Sequence, residues 1–444
     1  MDLMLLRRLM VNHGATRCLF KRLAPNDNSK NQIYLGRDFS SLNILPLAGE
    51  VVYVGQSPKG ENRFTAALNW WWLSGSGHPQ KAPDVQLILY PQYPEVRLSG
   101  FLRGAKEAPA KYLNPQMQGR ADGRLLFFGI SPDGRILGWL EPPGTSLANE
   151  IAQAGIVESD GVFCELSLFT KRPDANTKDA LLAALAKVHQ QGWIASRRLL
   201  AAGNFVPCEA TNCGGCTLEA ELGISANSRA EPDYLGWEVK QHGVTSFENS
   251  NPGVLTLMTP EPDGGLYVDH GVEAFIRQFG YADRQGREDR INIGGVHKVG
   301  VRQPNTGLTM RLRGYDRPGA TVDLQGAVEL LDDRGQSAAS WSFSNLLTHW
   351  NLKHARAVYV PSQARKVPLR QYAYGHSVRL GVGTDFLRLL NAFDEGQVYY
   401  DPGIKLENAS HPKGRIKKRS QFRIRSAGLQ VLYHSFGVER LPGC

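Results

Sequence analysis

Cysteine and long apolar runs are both scarce in this sequence. The 444 residues include six cysteines, which are too few and too scattered for the disulfide framework of a small secreted protein. No segment approaches the roughly 20 apolar residues that a membrane-crossing helix requires. The apolar run in Met1–Arg8 is too short for a signal peptide, and no small-residue cleavage site follows it. We therefore expect a cytoplasmic protein without membrane association.

Three of the cysteines lie close together in the sequence. Cys208 is followed by Cys213 and then by Cys216. A structural zinc site takes four ligands, and no second pair with suitable spacing follows. We interpret the three as reduced thiols in a loop, with a zinc site as the alternative.

Length and composition indicate a globular protein of two domains. The chain is 42% hydrophobic and 21% charged, and it is longer than most single domains. Up to roughly residue 170, short apolar runs alternate with clusters of glycine, proline, asparagine and aspartate, which is typical of β-strands. Leu125–Ile130 and Ile136–Leu140 flank a Pro-Asp-Gly turn and predict a hairpin. We expect a mostly-β first domain over residues 1–172, arranged as a barrel or sandwich.

The character of the chain changes at Lys171–Thr177, where a proline within a polar run predicts a linker. After the linker, the spacing of Leu181, Leu182, Leu185 and Val188 predicts a helix that has these side chains on one apolar face. Further elements are predicted as a strand at residues 308–312, a helix at 342–352 and a strand at 357–360. We therefore expect a linker over residues 173–178 and an α/β domain, or alternatively an α+β domain, over residues 179–444.

Basic charge is concentrated near the C-terminus. The net charge is +9, and the stretch His411–Arg425 contains Lys and Arg side chains but no carboxylate. Within it, Ser420–Arg425 alternates apolar and polar residues as a strand does. We interpret the segment as a basic strand that contacts the phosphates and bases of DNA. The alternative interpretation is a solvated surface or a tail.

An acidic-lysine triplet carries the chemistry. Asp233 precedes Glu238 and Lys240, and if Trp237–Lys240 is a strand, Glu238 and Lys240 share one face. Two carboxylates can hold one Mg²⁺, which lowers the pKa of a bound water, and a lysine beside them can orient that water. Taken alone, such a triplet also occurs on solvated strands. A predicted helix at Thr217–Gly223 brings a third carboxylate, Glu219, whose alternative is an exposed helical charge.

The segment from Thr217-Leu-Glu219 through Pro232-Asp233 and Glu238-Val-Lys240 to His242 resembles the MvaI/BcnI family of restriction endonucleases, which are MutH-like members of the PD-(D/E)XK nuclease superfamily. The resemblance runs from about residue 178 to the C-terminus and implies catalytic and recognition lobes. It implies Asp233 and Glu238 as Mg²⁺ ligands, Lys240 as the catalytic lysine and Glu219 as a supporting acid, and His242 fits the pattern. It further implies a monomer that acts on double-stranded DNA beside a cognate DNA methyltransferase.

The family resemblance places DNA recognition in the basic C-terminal segment. A cytosine amine calls for a carboxylate such as Asp401, and guanine calls for Arg or Lys. Some of the cations contact only phosphate. The candidate cations are Lys405, Lys417, Lys418, Arg419, Arg423 and Arg425.

The first half of the chain resembles the EcoRII effector domain, a DNA-binding pseudobarrel. The resemblance rests on Lys21–Gln32 and Leu89–Arg103, whereas Trp70–Trp72 depart from it and are expected to pack in the core. The alternative is an unrelated β domain with surface charges. The candidate DNA contacts are Asn26, Asp27, Asn28, Lys30, Asn31, Gln32, Arg97, Ser99 and Arg103.

Together the two halves resemble the UbaLAI type of restriction enzyme. This arrangement implies type IIE-like cleavage at CCWGG-type sites, with a second site bound by the first domain as effector. Related nuclease domains read CCSGG, so the central base stays open. Two other functions remain: a sequence-specific DNA-binding regulator with a vestigial nuclease fold, and a MutH-like repair nickase.

Overall fold

The structure is a computed structural model that divides into two compact units, Met1–Ala175 and Asn176–Cys444. It describes residues 1–25, 31–36, 39, 41–74, 78–92, 95–156, 162–168, 177–210, 212–225, 233–248, 253–319, 321–412 and 414–443. Within these ranges no helix is long and apolar enough to span a membrane.

The first unit consists mainly of strands, as the sequence predicts. Its strands are β1 Arg17–Leu23, β2 Ile33–Tyr34, β3 Val52–Gln56, β4 Asn62–Ala67, β5 Asn69–Trp72, β6 Gln80–Ala82, β7 Gln86–Tyr90, β8 Glu95–Ser99, β9 Arg124–Ile130, β10 Arg135–Glu141 and β11 Cys164–Leu166. Its helices are α1 Leu3–Asn12, α2 Ser41–Ile44, α3 Ala110–Leu113 and α4 Ser146–Gln153. One sheet has the order β11-β1-β9-β10-β5-β6, and the other has the order β2-β8-β7-β4-β3.

The predicted hairpin of the first unit is confirmed. β9 and β10 pair in antiparallel register from Ile130 opposite Ile136 to Leu125 opposite Glu141. The turn is closed by a hydrogen bond from the Ser131 amide to the Arg135 carbonyl, at 2.9 Å. The turn requires a left-handed residue, and glycine supplies it without strain at position 134, where φ is 80°.

Tryptophans fill the core of the first unit, as predicted for Trp70–Trp72. Trp70 and Trp72 are fully buried, and Trp71 is half-buried. The Trp72 indole donates to the Phe101 carbonyl at 2.7 Å, which satisfies its one polar group.

The second unit mixes helices and strands. Its helices are α5 Thr177–Gln190, α6 Cys213–Glu221, α7 Leu266–Asp269, α8 Gly271–Phe279, α9 Phe343–His354 and α10 Phe386–Asp394, and a 3₁₀ helix spans Ser426–Leu432. Its strands are β12 Ile194–Ala195, β13 Arg197–Leu199, β14 Phe205–Pro207, β15 Glu238–Gly243, β16 Val254–Met258, β17 Tyr281–Ala282, β18 Arg290–Gly294, β19 Thr309–Asp316, β20 Thr321–Leu331, β21 Ser337–Ser342, β22 Arg356–Arg365, β23 Gln371–Tyr374, β24 Ser377–Val382, β25 Val398–Tyr400, β26 Gly403–Glu407, β27 Arg415–Lys417, β28 Phe422–Arg425 and β29 Ser435–Arg440.

The largest sheet of the second unit carries the acidic-lysine strand. Its order is β12-β23-β22-β24-β29, and β15 pairs with β22. This pairing is parallel, from Glu238 opposite Ala357 to Gly243 opposite Ser362. Smaller sheets follow the orders β16-β28-β25, β17-β18-β26-β27, β19-β20-β21 and β13-β14.

Helix α5 packs into the core as its leucine spacing predicts. Leu181, Leu182, Leu185 and Val188 are all buried, and they belong to the same hydrophobic cluster as Trp237 and Val239. One face of β15 is therefore anchored in the core, which leaves its other face for polar side chains.

The prediction of reduced thiols in a loop is wrong. Cys208 and Cys213 form a disulfide with a Cα–Cα distance of 5.7 Å, and Cys213 begins helix α6. The folded chain brings the two Cα atoms into the range that a disulfide bridges, and sequence spacing does not reveal this proximity. Cys216 is a free thiol one turn further along the helix.

Candidate active site

A tight turn brings Asp233 back onto strand β15. Tyr234 and Trp237 exchange backbone hydrogen bonds of 3.0 and 2.8 Å, and Leu235 and Gly236 between them have φ of 49° and 81°. The Asp233 Oδ2 atom consequently accepts the Val239 amide at 3.0 Å. The aspartate is fixed beside the strand by a backbone donor and not by side-chain packing alone.

Glu238 and Lys240 lie on the same face of β15, as alternation predicts. Lys240 Nζ donates to Glu238 Oε1 at 2.5 Å. The glutamate side chain is only 1% exposed and that of the lysine is 22% exposed. Leaving a buried carboxylate without a counter-charge would be strongly unfavourable, and the partly exposed lysine supplies that charge while remaining accessible to a ligand.

The carboxyl groups of Asp233 and Glu238 converge. The pKa of Asp233 is raised to about 6, chiefly by burial and then by the nearby charge of Glu238, while the Val239 amide and Lys240 act in the lowering direction. Two carboxyl groups in one small space offer oxygen ligands only, and mutual repulsion favours a cation between them. These donors fit Mg²⁺, which uses one or two carboxylates and fills its other positions with water and phosphate oxygens. Among the described residues, no group of three or more His, Cys, Asp and Glu converges on one point.

His242 is the next residue on the same face of the strand. It is 7% exposed, and burial together with the charge of Arg379 lowers its pKa to about 4. The imidazole is therefore neutral at physiological pH. Its Nδ1 atom has no hydrogen-bond partner among the described residues.

A tyrosine pair adjoins the cluster and was missed in the sequence. Tyr359 pairs with Lys240 in the β15–β22 register, and its hydroxyl lies 2.8 Å from that of Tyr433. Burial raises the pKa of Tyr359 above its usual range, and the charge of Glu238 contributes to the same direction. The strand over residues 357–360 was predicted, but the parallel pairing that puts Tyr359 beside Lys240 joins segments too distant for a sequence pattern to connect.

Glu219 lies on the predicted helix, which is α6. It is half-buried, and its charge contributes to raising the pKa of Cys216. Helix α6 packs on β15, where Gly214 approaches the Gln241 side chain. Participation of Glu219 in the acidic cluster stays a prediction.

The basic C-terminal segment contributes strands to two sheets: β28 to the sheet β16-β28-β25, and β27 to the sheet β17-β18-β26-β27. Arg423 on β28 donates to Asp401 at 2.6 Å. Asp401 and Arg425 line a cavity of about 250 Å³ together with Tyr399 and Lys298. An aspartate fixed by an arginine at the edge of a cavity is oriented to accept a hydrogen bond from a ligand.

The remaining predicted basic side chains lie on strands β26 and β27 or directly after β27. Lys405 on β26 pairs in register with Lys417 on β27, and Lys417 forms an ion pair of 3.1 Å with Glu407. Lys418 lies over the Tyr267 ring at 5.9 Å. The exposed Arg419 follows Lys418 and packs against Gly403.

The first unit brings two of its predicted DNA contacts together. Arg97 donates to Gln32 at 3.3 Å and forms an ion pair of 2.6 Å with Glu95. Arg97 and Gln32 line a cavity of about 250 Å³ with Lys21 and Tyr34. Two further candidates lie nearby in the chain, Ser99 at the end of β8 and the exposed Arg103 in the turn after it.

The other candidates of the first unit precede Gln32. Asn31 is half-buried and has a φ of 51°. Asn26, Asp27, Asn28 and Lys30 lie outside the described residues.

A model of the MvaI/BcnI restriction endonuclease family matches residues 182–433. The chain belongs to this family. The matched region includes Glu219, the cluster of Asp233, Glu238 and Lys240, and the basic segment that ends at Arg425. The resemblance predicted from the motif is therefore confirmed, and this member of the MvaI/BcnI family is a site-specific DNA endonuclease.

Two solved structures are similar to this MvaI/BcnI-family chain. The complex of the restriction endonuclease MvaI with its cognate DNA substrate has a TM-score of 0.45 and 17% identity, and the alignment covers 60% of this chain and 99% of that chain. MvaI in the absence of DNA has a TM-score of 0.33 with the same identity and coverage. No curated protein matches the chain.

Proposed function

We propose that the chain is a Mg²⁺-dependent type II restriction endonuclease that cuts both strands of double-stranded DNA at CCWGG-type sites. The observation that carries this proposal is the convergence of Asp233 with Glu238 and Lys240 of β15, inside the region that matches the family model. The nuclease domain comprises residues 179–444 and acts as a monomer beside a cognate DNA methyltransferase.

Asp233 and Glu238 would hold the Mg²⁺ ion through their carboxylate oxygens. When bound, the ion lowers the pKa of a coordinated water and neutralises charge that develops on the phosphate. The Val239 amide holds Asp233 in place for this role. Because Glu238 is nearly fully buried, its carboxylate cannot swing out toward solvent.

Lys240 has two tasks at the scissile phosphate. Its ammonium group donates to Glu238 and keeps that carboxylate oriented. It also offers positive charge to the phosphate and positions the attacking water by hydrogen bonding. Glu219 on α6 supports the site as an additional acid, and the neutral His242 lines its far end.

Sequence recognition is assigned to residues of both units. In the nuclease domain, Asp401 accepts from a cytosine amine while Arg423 fixes it, and Lys405, Lys417, Lys418, Arg419 and Arg425 supply guanine or phosphate contacts. In the first domain, residues 1–172, a second target site binds as effector. Gln32 and Arg97 are oriented for this task by their mutual hydrogen bond. The other candidates of that domain are proposed as further DNA contacts.

The test is digestion of plasmids in Mg²⁺ with Asp233→Asn and the matched surface variant Asp333→Asn. Loss of a metal ligand should lower the cleavage rate by at least about 100-fold. Asp333 forms an exposed ion pair with Arg302, so Asp333→Asn should cut like the wild type. Wild-type rates from Asp233→Asn would contradict the mechanism.

The same digestion tests specificity and the effector role. Sequencing the DNA ends identifies the target and the cut position. A plasmid with two target sites should be cut faster than one with a single site, and adding a short target duplex should accelerate the single-site reaction. Nicked circles as the sole product would instead favour a repair nickase, and tight binding without cleavage would favour a DNA-binding regulator.

A further inference from the structure

Two side chains on one hairpin are the most exposed large apolar side chains among the described residues. Strands β22 and β23 are joined by residues 366–370, and Val367 and Leu369 in this loop are 81% and 69% exposed. Single exposed apolar residues scattered over a surface are common, whereas these two lie two positions apart on one loop. We call residues 365–370 the hairpin tip.

The hairpin tip is held rigidly at its base. The Arg365 guanidinium lies over the Trp193 ring at 4.5 Å. On the other side, Arg370 Nη1 donates to the carbonyls of Glu209 and Ala210, both at 2.8 Å. Since both ends of the loop are fixed to neighbouring segments, little conformational entropy is lost when the tip enters a binding partner.

The charge around the tip selects the partner. Arg365, Lys366 and Arg370 supply three cations, and the stretch from Ser362 to His376 contains no carboxylate. Protein interfaces are depleted of lysine and bury about 800 Å² per partner, which two side chains on one loop do not provide. Apolar side chains between cations are instead the combination with which proteins enter the minor groove of DNA and separate stacked base pairs.

The tip is close enough to the catalytic cluster to reach the same duplex. Tyr359 pairs with Lys240, and β22 continues from there to Arg365. At about 3.3 Å per residue this is roughly 20 Å along the strand. At about 3.4 Å per base pair, the distance corresponds to roughly six base pairs, less than one turn of the duplex.

We propose that the hairpin tip is a DNA wedge. Val367 and Leu369 enter the minor groove of the bound duplex and partly unstack one base step, while Lys366 contacts the adjoining phosphates. The wedge deforms the DNA that the nuclease holds and does not depend on which sequence is cut or on an effector site. It requires only the DNA substrate of the endonuclease family to which the chain belongs.

The test measures DNA unwinding on relaxed plasmid in Ca²⁺ with a topoisomerase that needs no Mg²⁺. The wild type should shift the plasmid to a lower linking number because unstacking untwists the duplex. Filter retention establishes the protein concentration at which V367S/L369S binds all of the plasmid. At that concentration the variant should give the same topoisomer distribution as plasmid without protein. Val438→Ser, which changes a valine on β29 that is 68% exposed, should unwind as the wild type does.

The proposal is overturned if the wild type does not change the linking number of bound plasmid. It is equally overturned if V367S/L369S shifts the linking number as far as the wild type. Cleavage in Mg²⁺ is measured separately on the same plasmid. Unwinding without any cleavage would count against the proposed nuclease activity and leave the wedge intact, so the two failures are distinguishable.

Discussion

The buried hydroxyls of Tyr359 and Tyr433 form a polar contact beside the catalytic strand whose cost can be measured. They lie 2.8 Å apart, and both side chains are almost fully buried. Tyr359→Phe removes one partner and leaves the Tyr433 hydroxyl unsatisfied, so we expect the free energy of unfolding to fall by about 1–3 kcal/mol. Y359F/Y433F should regain most of that loss because neither hydroxyl remains. Urea unfolding measures both values, and a double variant that loses as much as two independent single losses would contradict the pairing.

At the scale of residues, the sequence predicts side-chain direction but not every contact. Strand alternation is sufficient to put Glu238 and Lys240 on one face, and the structure agrees. It does not reveal that Asp233 folds back to the Val239 amide, because that depends on positive φ angles in the turn. The hydrogen bond between Tyr359 and Tyr433 is also not predictable from the sequence, because no local pattern connects Tyr433 with β22.

The cross-link at the start of helix α6 predicts a specific labelling pattern. Cys208 and Cys213 are bonded, and Cys216 is a free thiol on the same segment. Iodoacetamide added to the denatured, unreduced protein should label only Cys216 in the tryptic peptide that contains all three. Prior reduction should give three labels in that peptide. Mass spectrometry distinguishes the two patterns, and labelled Cys208 or Cys213 without reduction would show that the bond does not form.

At the scale of elements, local patterns were reliable and long-range pairing was not. The leucine spacing of α5 and the Pro-Asp-Gly hairpin of β9 and β10 each depend on neighbouring residues, and both were predicted. The parallel pairing of β15 with β22 joins segments more than a hundred residues apart, and no turn signal encodes it. The error over Cys208 and Cys213 has a different cause: the two are only five residues apart, and their spacing does not show whether the local chain path brings their Cα atoms to 5.7 Å.

At the scale of the whole molecule, the positive charge is not spread evenly. The net charge is +9, and the carboxylate-free stretches at Ser362–His376 and His411–Arg425 both belong to the second unit. Composition alone predicts attraction to polyanions. The two cavities and the hairpin tip are the places where we expect DNA to bind. They are formed by strands that are distant in the sequence, so composition does not predict them.

Buried histidines give the second unit a characteristic acid sensitivity. His297 is 0% exposed, with its Nδ1 atom 2.9 Å from the Gly295 carbonyl and its Nε2 atom 2.9 Å from the Thr306 hydroxyl. Burial lowers its pKa from 6.5 to about 4. Because the folded pKa lies below the unfolded one, the unfolded chain binds more protons in this range. Stability is therefore fully present above about pH 6.5 and decreases as the pH falls toward 4.

The contribution of His297 to this loss is about 3 kcal/mol between pH 6.5 and 4, since each pKa unit corresponds to about 1.4 kcal/mol. Asp233 acts in the opposite direction because its pKa is raised, so the effect of His297 is isolated by comparing variants. His297→Gln cannot titrate and should show a flatter pH dependence of unfolding free energy than the wild type. The control is His78→Gln, which changes an exposed histidine. It should show the same dependence of the unfolding free energy on pH as the wild type. Urea unfolding at pH 7, 6, 5 and 4 measures the slopes, and equal slopes for the wild type and His297→Gln would exclude this histidine as their cause.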